Sequence, residues 1–112
     1  MNRSSQLMLT AAFLAVLASS LNGCGTATSS ATRSSDIASL TGDTTSGQTL
    51  YTSNCSSCHG SDGQSGSVSK NLTAKSSAEI ISTVLTGTGS MPSFSDLSDQ
   101  DIADVTAYVE AL

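Results

Sequence analysis

The chain has 112 residues, with four Lys/Arg against nine Asp/Glu and a formal net charge of −5. That length allows one small domain, and the sparse, acidic charge offers no basic stripe for nucleic acid. Trp is absent and only Phe13, Phe94, Tyr51 and Tyr108 are aromatic, so the core is small and needs a staple.

Residues 1–5 carry one cation, Arg3, and an apolar stretch runs from Leu7 to Ala18. This is the pattern of a signal-peptide hydrophobic region, too short and too early for a membrane span. It ends at Leu21-Asn22-Gly23-Cys24, which resembles the lipobox of bacterial lipoproteins. The resemblance implies a signal peptide over residues 1–23 and a diacylated Cys24 as the first mature residue. Asn22 stands where a small or apolar residue is usual. The alternative is ordinary cleavage nearby, with Cys24 a loose thiol. Buried acyl chains, at roughly 0.8 kcal/mol per methylene, make a durable membrane anchor. Without residues 1–23, three basic residues face nine acidic ones. Partners that dock by charge are then expected to present a basic patch.

Gly25 to Gly47 is rich in Ser, Thr, Ala and Gly, and only Ile37 and Leu40 are sizeable and apolar. Residues 24–44 read as a flexible tether. At ~20 residues its root-mean-square reach is about 25 Å, enough to let an anchored domain swing between partners.

Residues 45–112 carry the chemistry. Ser46 is placed to cap a helix from Gly47 to about Asn54, with Leu50 and Tyr51 on its buried side. Gly47 leaves room for a second helix to approach closely. The helix delivers Cys55-Ser56-Ser57-Cys58-His59, a C-x-x-C-H pattern of covalent c-type haem attachment. Each thiol can add to one vinyl group of a single porphyrin, and the imidazole of His59 can reach the iron. A Cys pair of this spacing could also be a thioredoxin-like couple or half a zinc site. No β-α-β pattern surrounds it, however, and no clear fourth zinc ligand exists.

Gly60, Gly63 and Gly66 mark an irregular loop, after which Val68 and Leu72 are placed to reach inward. Ser76 and Glu79 form a capping box. Ile80, Ile81, Val84 and Leu85 then make one apolar stripe, stopped at Gly87. The loop Gly87–Phe94 centres on Met91, beside Pro92. A thioether on a polar, glycine-rich loop is a soft ligand for haem iron; the alternative is a gap-filling apolar side chain. Beyond residue 23, Met91 is the only Met, and His59 is the only His in the chain. Ser98 with Asp101 makes a second capping box, and Leu97 with Ile102 a hydrophobic staple. Asp99 and Asp101 lie in the first turn, where the helix dipole favours acids. Ile102, Val105, Tyr108, Val109 and Leu112 form the inward face, expected to cross the first helix near Gly47 and Tyr51. Asp104 and Glu110 are expected in solvent.

This order of parts resembles a class I monohaem cytochrome c over about residues 44–112. Gly47, Tyr51, Cys55-x-x-Cys58-His59-Gly60, Gly63, Met91-Pro92-x-Phe94 and Tyr108 carry the resemblance. It implies a small all-α fold wrapped around one covalent haem c. The axial ligands are then His59 and Met91, and one haem edge lies near solvent. The implied function is one-electron transfer between larger redox proteins, by a monomer held at the bacterial cell envelope. In the family a Pro carbonyl commonly accepts the proximal imidazole N–H. Here Val68-Ser69-Lys70-Asn71-Leu72 has no Pro, and another backbone carbonyl between Ser67 and Lys70 is expected to serve. The competing function is a peroxidase-like or gas-binding haem module. That needs an open sixth position and a distal polar group, yet the mature domain has no second His and no distal Arg.

Overall fold

The computed structural model describes residues 29–68 and 71–112. The signal-peptide and lipidation expectations, Cys24 included, fall outside them. Five α-helices follow in order: α1 Ser30–Ala38, α2 Thr44–Asn54, the single-turn α3 Ser56–His59, α4 Ser77–Thr86 and α5 Asp99–Glu110. Among the described residues there is no strand, only an isolated antiparallel bridge between Thr88 and Met91. No described helix is long and apolar enough to cross a membrane. The fold is all-α.

The core is built where the apolar periodicity places it. Ile80, Ile81, Val84 and Leu85 of α4 are all buried, as are Ile102, Val105 and Val109 of α5. Both capping boxes form: the Ser76 side chain accepts from the Glu79 N–H and the Ser98 side chain from the Asp101 N–H, and each acid reaches back. Gly87 ends α4 at φ 69°.

The broadest helix contact is between α2 and α5. It depends on Gly47, where a Cβ would collide with the Asp104 carbonyl. Tyr51 is buried, and its ring lies 5.3 Å from that of Tyr108, tilted by 54°. This is within the range of favourable edge-on aromatic contact.

Four expectations are corrected. The flexible tether over 24–44 is interrupted by a helix. Residues 30–38 form α1, which packs on α4 and α5. Ile37 is 1% exposed and joins the core, worth about 1.5–3 kcal/mol. Local sequence hides this helix, because its Ser-rich stretch has one apolar anchor. Tertiary contacts, not periodicity, stabilise it.

Second, α2 begins at Thr44, not Gly47. Asp43 is the cap, accepting from the Ser46 N–H at 2.7 Å. A carboxylate competes well with a hydroxyl at that position, and these bonds hold the Asp43 carboxyl below its usual range.

Third, Asp104 is not in solvent but 5% exposed. Its Oδ1 accepts from the backbone N–H of Asp43 at 2.8 Å and from Gln100 Nε2 at 2.7 Å. A carboxylate of α5 thereby fixes the start of α2. Glu110 is exposed, as expected, and bonds to the Ser77 hydroxyl. Fourth, Val68 and Leu112, expected to point inward, are 58% and 39% exposed, because Val68 borders the open cleft and Leu112 lies past the last turn of α5.

Candidate haem site

Cys55 closes α2 and opens α3. Its N–H donates to Tyr51 O at 2.8 Å, and its carbonyl accepts the N–H of His59 at 2.9 Å. The C-x-x-C-H segment is therefore one tight helical turn, which brings the two thiols and the imidazole together in the fold. Gly60 follows at φ 77° and leaves the helix. Its carbonyl accepts the Tyr51 hydroxyl at 2.7 Å, a contact that sequence reading did not supply.

The loop after His59 is ordered by its own polar groups. Asp62 Oδ1 accepts from the backbone N–H of Gln64 and Ser65 and from the Ser65 hydroxyl, all within 2.9 Å. These donors pull the Asp62 carboxyl down to about 2. Asp-Gly is a turn signature that could have located this hub. Gly66 then passes so close to the Cys58 carbonyl that a Cβ would overlap it. The Gly63 carbonyl accepts the Leu72 N–H at 3.0 Å.

On the other arm, Thr88 and Met91 exchange backbone bonds of 3.1 and 2.9 Å. The Phe94 N–H donates to Val84 O at 2.8 Å, and the Ser93 hydroxyl to Leu85 O at 2.6 Å. The Met91 loop is thus sewn to the last turn of α4.

Cys55, Cys58, His59 and Met91 all line one cleft of about 890 Å³. That volume is within the usual range for a ligand or cofactor site. Its walls are mainly apolar: Ile80 and Val84 from α4, Val105 and Val109 from α5, with Leu72 and Phe94. Val68 also borders the cleft although its side chain is mostly in solvent.

The donor set fits a haem c. Burial lowers the affinity of His59 for a second proton, which favours the neutral imidazole that a metal requires. Its Nδ1 is buried with no hydrogen-bond partner among the described residues; Ser69 and Lys70, in the stretch expected to supply one, lie outside them. Cys55 and Cys58 are free thiols. Burial, and then the neighbouring Cys58, push the Cys55 thiol up to about 11. A redox-active thiol pair needs the opposite, a stabilised thiolate.

Residues 42–109 match the family model "Cytochrome C oxidase, cbb3-type, subunit III". The chain belongs to this cytochrome c family. Similar proteins include the cytochrome bc1 complex cytochrome c subunit of Corynebacterium diphtheriae, 36% identical over 76 residues. Cytochromes c6 of Cyanidium caldarium and Cyanidioschyzon merolae are 37% and 38% identical over 71 and 79 residues. These matches cover 62%, 56% and 62% of this chain, but 27%, 65% and 74% of the respective relatives. The chain thus spans about a quarter of the first and about two-thirds of the second. No solved structure is significantly similar. Members of the cytochrome c family carry a covalently bound haem c and serve as electron carriers.

Proposed function

We propose that this chain is a one-electron carrier at the bacterial cell envelope, with Cys55 and Cys58 as the thioether attachments and His59 and Met91 as the axial ligands. When bound, the haem supplies the one-electron exchange between ferrous and ferric iron. The chain's own residues attach it, ligate it and shield it. Ile80, Val84, Val105 and Val109 keep water from the cleft, which favours the less charged ferrous form. A thioether opposite an imidazole raises the potential relative to a harder pair. No acid or base is required.

The observation that carries this reading is the convergence of all four residues on one apolar cleft. Nothing in the chain neighbourhood forced Met91 there: it lies 32 residues beyond His59.

The lipobox-like Cys24 supports a membrane anchor, and the acidic balance of the chain supports larger redox partners with a basic docking patch. The domain is proposed to act as a monomer, with residues 1–23 as signal peptide and 45–112 as the haem-binding unit. Because α1 occupies residues 30–38, any flexible link would be shorter than the 24–44 segment and the swing correspondingly smaller.

The deciding experiment is an alkaline pyridine spectrum of the purified protein, followed by an optical redox titration. A c-type haem signal with a single one-electron transition is expected. A protein purified without bound haem would overturn the reading.

A further inference from the structure

Arg33 sits in α1, ahead of the family-matched residues 42–109. Its guanidinium makes three bonds of 2.7 Å each: Nε to Asp99 Oδ1, Nη1 to Ser95 O and Nη2 to Leu97 O. Two of the three acceptors are main-chain carbonyls of the segment that continues the Met91 loop. That segment is already tied to α4 through Val84 and Leu85. Leu97 N–H in turn bonds to Phe94 O at 3.0 Å. The loop is thereby fastened on one side by a backbone bond and a Ser93 hydroxyl bond to α4, and on the other by a single side chain from α1.

We propose that Arg33 is a positioning residue for Met91: by clamping the carbonyls of Ser95 and Leu97 it holds the Met91 loop in place at the cleft. This rests on Met91 being an axial ligand. A guanidinium suits the task, since its planar fork presents several donors in fixed directions. The Arg33 side chain is 27% exposed, so salt screens it less than a fully solvated pair. Asp99 holds the fork by its third donor. Lysine offers one point charge and cannot span two carbonyls and a carboxylate. When the clamp is lost, the freed carbonyls can turn to water. Ile37 still packs α1 onto the core. The loss therefore falls on the loop rather than on the whole fold.

The test is cyanide binding to the ferric holoprotein, compared among wild type, Arg33→Ala, Arg33→Lys and Met91→Ala. Cyanide can bind only where the sulfur has left, so its apparent Kd scales inversely with the population of the open loop. Arg33→Ala is expected to bind cyanide about tenfold more tightly, equivalent to about 1.4 kcal/mol, with Arg33→Lys between it and wild type. Amide exchange should quicken at Phe94 and Leu97 but not in α2. A merely structural role would speed exchange throughout the domain, and that outcome overturns the proposal. So does an unchanged cyanide affinity in Arg33→Ala when Met91→Ala binds cyanide far more tightly than wild type. If Met91→Ala itself leaves cyanide affinity and the sulfur-to-iron charge-transfer band unchanged, the ligand assignment fails instead, and the role of Arg33 falls with it. Should Arg33→Ala not load haem, wild-type cyanide affinity in Arg33→Lys overturns the proposal.

Discussion

The hydroxyl of Tyr51 donates to the carbonyl of Gly60 across 2.7 Å. One buried side chain of α2 thus spans the whole attachment motif and grips the residue after His59. Tyr51→Phe keeps the packing against Tyr108 and loses only this bond. A loss of about 1 kcal/mol in unfolding free energy is expected, as for one buried hydrogen bond. Burial also pushes the Tyr51 phenol up to about 12, with neighbouring Cys55, Tyr108 and Asp62 adding to it. The unfolded chain gives up this proton near pH 10, before the folded one does. Stability from this group is therefore complete below pH 10 and declines as pH rises from 10 towards 12. Urea midpoints across that range should fall in wild type and fall less in Tyr51→Phe.

At Gly47, α2 and α5 approach too closely to admit a Cβ. Gly47→Val must push a branched side chain into the Asp104 carbonyl. Overpacking of this kind costs about 1–3 kcal/mol or more, which a thermal melt would register as a lower midpoint. An unchanged midpoint would mean that the helices separate without cost.

Asp104 predicts a graded pair of variants. Asp104→Ala strands the Asp43 N–H and should cost about 1–3 kcal/mol. Asp104→Asn retains an acceptor at the same place and should cost less. Equal losses in urea unfolding would refute a hydrogen-bonding role for the carboxylate.

Met91→Ala is expected to abolish the sulfur-to-ferric-iron charge-transfer band and to lower the reduction potential, read by spectroscopy and by redox titration. An unaltered spectrum would remove Met91 from the iron.

Cys24→Ser should release the protein from membranes into the soluble fraction, as measured by fractionation of cells making the full chain. Continued membrane retention would rule out a lipid on Cys24 as the anchor.

Features that depend on short stretches of chain were legible in advance. The turn holding Cys55, Cys58 and His59 is set by five consecutive residues. The two capping boxes each span four. The inward stripes of α4 and α5 follow from helical periodicity, and Gly47 was readable as a point of close approach. Met91 stood out for a different reason, as a lone thioether on a polar loop, and the fold places it on the wall of the cleft; its bond to iron is part of the proposal.

What escaped has long sequence separation. Arg33 meets Asp99 across 66 residues and Asp43 meets Asp104 across 61. Composition marked α1 as a linker because its Ser-rich sequence holds a single sizeable apolar residue, yet Ile37 and Arg33 find partners on α4, on α5 and on the segment before α5. Asp104 looked like a solvated acid because nothing adjacent in sequence discloses the backbone donor waiting at the start of α2. Local bonding rules act within a few residues and can be read along a line. Burial and long-range hydrogen bonding depend on which surfaces meet, and that is decided only when the chain has closed on itself.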